Sequence, residues 1–151
     1  AEVLLNYAEA TYELENKISD DDLNKSVNLV RLRSNPNMVK LSNALVTGNG
    51  LSMRDEIRRE RTVELAFEGY RIDDLKRWAT ASTEMPQDQL GVKWKGTEFE
   101  SIWAKQSRQV NAEGCIILYS NRTWSDKNYL YPLPSEQLQL NPNLGQNPGW
   151  E

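Results

Sequence analysis

Glu60, Glu64 and Glu68 recur every four residues, the spacing that stacks side chains on one face of a helix. They lie in RRERTVELAFEGYRIDDLKRW, residues 58–78, among Arg58, Arg59, Arg61, Arg71, Asp73, Asp74, Lys76 and Arg77. Carboxylates so arranged suggest two kinds of chemistry. On facing helices they cradle di-metal centres, but such sites also draw on a Glu-x-x-His motif, and the chain contains no histidine. Glycoside hydrolysis needs two carboxyl groups flanking a cleft, and nothing in the sequence sets a second carboxylate opposite the first. The lack of histidine also removes the imidazole base and the Ser-His and Cys-His nucleophile pairs. No catalytic residue, metal site or cofactor is therefore assigned.

The structural reading is favoured: Glu60, Arg61, Glu64, Glu68, Arg71, Asp74 and Arg77 form a partly buried ionic network that fixes how this segment stacks on its neighbours. Helical spacing pairs Arg61 with Glu64, Arg71 with Glu68, and Arg77 with Asp73 or Asp74. The planar guanidinium suits bridging roles better than an ammonium, and removing one member of a buried network is costly.

A second acidic cluster, DDDLN, sets Asp20, Asp22 and Asn24 where the first three ligands of an EF-hand loop would stand. The sixth position is Lys25 rather than Gly and the twelfth Arg31 rather than Glu. A helix N-terminus accounts for the acids instead. The single cysteine, Cys115, sits in the apolar run CIILY and packs as a small hydrophobe.

These side chains need elements to hold them. A chain of 151 residues, 38% hydrophobic and 26% charged, is long enough for a domain with a real core. Its net charge of -4 offers no basic face for nucleic acid. No stretch approaches the roughly 20 apolar residues of a membrane span, and no signal peptide is visible. Residues 1–15 carry two apolar stripes, Leu4, Ala8, Tyr12 and Val3, Tyr7, Ala10, Leu14, so this helix expects neighbours on both sides. It is periodic from its first residue and lacks a capping residue before it, which predicts a fragment of something longer.

Ser19 with Asp22 three residues on predicts a capped second helix, with Leu23, Val27 and Val30 inward, ending before Pro36. VTGNG at 46–50 reads as a breaker, and Ser52 with Asp55 starts a helix running to Gly69. YRIDDLKRW makes a shorter helix. From 80 to 128 the helical period fades into an excursion in which GVKWKGTEF and CIILYSNRTW suit short strands. In the final stretch Ser135 caps a single turn, and the Asn-Pro and Pro-Gly turns with Trp150 predict a docked tail over 129–151.

Two motifs carry a resemblance. ERTVELAFEGYRIDDLKRW resembles the signature helix pair of SusD/RagB proteins, matched at Glu60, Arg61, Glu64, Leu65, Glu68, Gly69, Arg71, Asp74, Leu75, Arg77 and Trp78. YLYPLPSEQLQLNPNLGQNPGW resembles that family's ending, matched from Pro132, Pro134 and Glu136 through Asn141, Pro142, Leu144 and Gln146 to Asn147, Pro148, Gly149 and Trp150. The resemblance implies a mostly α, TPR-like scaffold with a helix pair at 1–34, the signature pair at 52–79, a variable loop or short-strand excursion at 80–128 and an ordered tail. It also implies that the N-terminal part of a longer protein is missing.

For function, the resemblance implies a non-enzymatic, lipid-anchored outer-membrane protein of Bacteroidota that captures glycans or other nutrients. It would work with a SusC-like TonB-dependent transporter, and its membrane anchor would lie outside this chain. Sugar sites pair aromatic platforms with amides and guanidiniums. Trp94, Trp103, Trp124, Asn121 and Arg122 are the candidates here, and Trp78 and Trp150 are assigned to core packing. The alternative is a TPR-type peptide-binding adaptor. Such adaptors repeat a unit of about 34 residues with little between, whereas this chain breaks after each helix pair.

Overall fold

The computed structural model describes residues 1–102 and 107–151. The chain divides into two compact units, Ala1–Arg71 and Ile72–Glu151. The boundary falls inside the signature segment.

The first unit is helical: α1 (Glu2–Glu15), α2 (Asp20–Lys25), α3 (Val27–Ser34), α4 (Asn43–Gly48) and α5 (Met53–Glu64). Its core gathers Leu5 and Ala8 of α1, Leu23 of α2, Val27 and Val30 of α3, Leu41, Val46 of α4, Ile57 of α5 and Leu65, with Leu4 and Tyr12 packed against them. One apolar stripe of α1 thus meets this core. The other does not: Val3, Tyr7 and Leu14 are exposed, against the expectation of neighbours on both sides.

The Ser19 hydroxyl caps α2 by accepting from the Asp22 backbone N–H at 3.0 Å. The expected second helix is broken in two, because Ser26 leaves helical geometry at φ -132°, ψ -97°. Its buried hydroxyl turns back to donate to the Asp22 carbonyl, a local bond that competes with the helix ladder. Pro36 acts as read, with α3 ending at Ser34 and Asn35 extended. The strand of chain that follows is anchored by Asn28, whose carboxamide accepts from the Leu41 N–H at 2.7 Å and donates to the Leu41 carbonyl at 2.9 Å. Ser42 caps α4, so residues 46–48, read as a breaker, still belong to a helix.

Ser52 caps α5 through the Asp55 N–H. The helix stops at Glu64, five residues short of Gly69, because the chain turns through left-handed geometry at Phe67 (φ 66°) and Gly69 (φ 89°). This places Glu68 in an exposed turn rather than on the face of Glu60 and Glu64.

The next helix, α6 (Arg71–Arg77), begins on the last residue of the first unit and continues into the second, followed by α7 (Ala81–Glu84), and Leu75 and Ala81 are buried. Next come β1 (Gln89–Lys93), α8 (Phe99–Ile102), β2 (Cys115–Tyr119), a 3-10 turn at Asp126–Tyr129 and α9 (Ser135–Leu140). The strands lie antiparallel, with Gln89 opposite Tyr119, Leu90 opposite Ile117 and Lys93 opposite Cys115, and the register slips twice between them. Residues 109–111 flank the far edge of β2 through Asn111 N–H to the Cys115 carbonyl and Ile117 N–H to the Gln109 carbonyl, both 2.9 Å. Cys115 is a free, half-buried thiol. Ser135 is the first residue of α9 rather than its cap, since Pro134 takes that position and no side chain caps it.

Candidate functional site

The charged residues of the signature segment act mainly as seams. From α5, Glu60 faces Arg31 of α3 at 3.7 Å, both side chains largely buried, and Glu64 pairs with Arg33. Burial raises the Glu60 carboxyl above the ordinary glutamate range, and the Arg31 charge only partly offsets this. Arg61, buried, donates to Asn6 of α1 at 2.7 Å, and its guanidinium lies 5.5 Å from the Tyr70 ring centre. Arg54 and Arg58 both reach Glu13 of α1. Arg71 donates to the Thr62 hydroxyl at 2.9 Å. In the second unit Arg77 donates to the buried Asp74 carboxylate at 2.8 Å. Spacing along one helix finds the Arg77–Asp74 pair. It misses Arg31 and Arg33, since those partners come from another helix.

The acids at 20–22 serve the fold. Asp22 accepts from the Ser19 hydroxyl at 2.6 Å and the Tyr7 hydroxyl at 2.8 Å, which holds its carboxyl below the usual carboxylate range. Asp20 accepts from the backbone and side chain of Asn43, both at 2.8 Å. Among the described residues no group of three or more His, Cys, Asp or Glu side chains could hold a metal ion.

The glycan candidates fall in the second unit. Trp94 follows β1, and its position depends on Gly114. The Trp94 and Lys95 N–H groups both donate to the Gly114 carbonyl, at 2.9 and 3.1 Å. Gly114 has φ 84°, and a Cβ there would stand 2.8 Å from the Lys95 carbonyl oxygen, so only glycine lets the two segments close. The half-buried Trp94 ring is tethered by its Nε1–H to the Phe99 carbonyl at 3.3 Å.

Trp124 packs edge-on against Tyr129, with ring centres 5.1 Å apart and planes at 74°. Its Nε1–H is buried without an acceptor among the described residues. Arg122 turns to the Gln87 carbonyl at 3.3 Å, and Asn121 is exposed with left-handed backbone at φ 57°. Arg122 and Trp124 thus belong to one loop, and Trp94 is held by a separate set of contacts. Trp103 lies outside the described residues.

Sequence reasoning missed Tyr129, whose hydroxyl donates to the Ser82 Oγ at 3.2 Å and accepts from the Ser82 N–H at 3.0 Å. No spacing in the sequence signals this contact, because the chain between Trp124 and Tyr129 has no helical or strand period. Trp78 and Trp150, expected in a core, are only half-buried. Each instead carries a cation on its ring: Arg77 at 4.9 Å and Lys127 at 4.5 Å. The Trp150 Nε1–H bonds the Lys127 and Leu130 carbonyls at 2.9 and 3.2 Å.

The sequence model of the SusD family matches residues 1–150. Among solved structures, the fold is similar to a SusD-like carbohydrate binding protein from Bacteroides fragilis NCTC 9343. The two share 27% identity over 95% of this chain and 27% of that one, with a TM-score of 0.72. A second SusD-like protein from the same strain shares 27% identity over 98% of this chain and 24% of its own, with a TM-score of 0.65. The chain spans about a quarter of the length of these structures. No curated protein matches.

Proposed function

The chain belongs to the SusD family, and from that premise we propose that it is part of a glycan-binding surface protein of outer-membrane polysaccharide uptake. The match over residues 1–150 carries this reading. The similarity to a structure described as a SusD-like carbohydrate binding protein supports it. In the whole protein a lipid anchor holds the binding surface at the outer membrane of a Bacteroidota-type cell, and a SusC-like TonB-dependent transporter receives the captured glycan. The protein binds its ligand and does not cleave it.

Within this chain the contribution to binding falls to the loop of Asn121, Arg122 and Trp124 and to Trp94. An aromatic ring offers an apolar face to the C–H face of a sugar, and the amide and guanidinium bond its hydroxyls.

Native gel electrophoresis through gels cast with starch, xylan, laminarin or mannan tests the proposal. Retarded migration in at least one polysaccharide, with no release of reducing ends on incubation, is the expected result. Unretarded migration in all four gels would contradict glycan binding, and release of reducing ends would contradict the non-enzymatic reading.

A further inference from the structure

The tail closes over a second feature of the 72–151 unit. Gln146 bridges the backbone of Leu133, donating to its carbonyl at 3.0 Å and accepting from its N–H at 2.8 Å. Asn147 donates to the Tyr131 carbonyl at 2.6 Å, and the Trp150 indole closes on Lys127 and Leu130. Gly149, at φ 80°, completes this clasp: a Cβ there would lie 2.9 Å from the Lys127 Cβ. Between the clasp and the 3-10 turn lies a depression of about 600 Å³, lined by Ser125, Asp126, Tyr129, Leu130 and Pro148 among others. That volume lies within the range of small-molecule sites.

We propose that this depression is a binding subsite for a ring of a neutral saccharide, separate from Trp94 and resting on the glycan-binding reading above. Three observations support the ligand class. Tyr129 is fixed at both ends, by its ring against Trp124 and its hydroxyl on Ser82, so an aromatic wall stands in place before a ligand arrives. Such preorganisation reduces the ordering cost of binding. Leu130 and Pro148 give apolar surface for the C–H face of a sugar ring. The exposed Asp126 carboxylate has no partner among the described residues, and Ser125 lines the same depression. Together they can take the hydroxyls at the ring's edge. An anionic ligand fits poorly, because Lys127, the cation of the lining, already lies over the Trp150 ring and Asp126 repels it.

Titration calorimetry of the full chain with maltohexaose, xylohexaose, laminarihexaose and mannohexaose tests this, using Asp126→Ala and Leu130→Asp in parallel. Both positions are exposed, so the variants should melt as the unchanged chain does. Loss of hydrogen bonds to a charged group predicts about tenfold weaker binding, or more, for Asp126→Ala. Leu130→Asp should weaken the same sugar. Unchanged affinity in both variants, for a sugar the unchanged chain binds, would overturn the subsite and leave the glycan-binding reading intact. Absence of heat with all four sugars would overturn both.

Discussion

Replacing Asn28 with alanine should be among the more damaging single changes in the first unit. Asn28 is 2% exposed and Leu41 1% exposed, and the carboxamide satisfies both the N–H and the carbonyl of Leu41. A third bond joins Asn28 Nδ2 to the Asn24 carboxamide at 3.1 Å. Alanine strands two backbone polar groups in the core, and each such group costs about 1–3 kcal/mol. Some relief comes if water follows the lost side chain into the gap, which places the expected loss near 3 kcal/mol. Asn24→Ala, which removes only the third bond, should cost about 1 kcal/mol or less. Urea denaturation followed by far-ultraviolet circular dichroism measures both, and constant m-values would show that the unfolded state is unchanged. Equal losses in the two variants, or a loss below 1 kcal/mol for Asn28→Ala, would refute the claim that Asn28 pins the connection to α4.

Gly114→Ala should lower stability by about 1–3 kcal/mol, since it combines left-handed backbone with a clash on the Lys95 carbonyl; an unchanged urea midpoint would contradict the role assigned to this contact. Phe67→Gly should raise stability by about 1 kcal/mol, because the phenylalanine is fully exposed and held at φ 66°; a lowered midpoint would show that the ring supports the turn. Glu60→Gln should change the pH profile. The raised folded-state carboxyl of Glu60 means that the native state binds more protons, so its unfavourable contribution is absent below the ordinary value of 4.5 and grows as pH rises through the raised one. The variant therefore gains relative to the unchanged chain over that interval, and parallel profiles from pH 4 to pH 7 would contradict the assigned burial.

Much of the fold was legible because local chemistry dictated it. Ser19 and Ser52 cap helices through the residue three positions on, and Pro36 ends a helix where its ring forbids the preceding residue to continue. Leu23, Val27 and Val30 are buried as read, although the break at Ser26 divides them between α2 and α3. The break at Ser26 was not legible, since it rests on a hydroxyl turned to a carbonyl one turn back, and serine also sits quietly in helices. The left-handed turn at Phe67 defeated the spacing argument too, because residue type disfavours that conformation and only the surrounding chain imposes it. That turn removed Glu68 from the carboxylate row.

The residues proposed for the site were chosen by type, since nothing in the sequence arranges them. Trp94, Trp124, Asn121 and Arg122 are residues suited to sugars. Gly114 reaches Trp94 and Lys95 through strand pairing, and Tyr129 reaches Trp124 through a turn, and no period announces either contact. The tail motif carried its own message in part: Gln146, Asn147, Gly149 and Trp150 each have a definite structural task on residues 127–133.

Calorimetry of the folded chain with a panel of neutral oligosaccharides, with Trp94→Ala and Trp124→Ala in parallel, tests the central claim most directly. Binding to at least one sugar, lost or sharply weakened in one of these variants, is the predicted result. A chain with a cooperative melting transition that gives no heat with any sugar, or that binds equally well without either tryptophan, would contradict it.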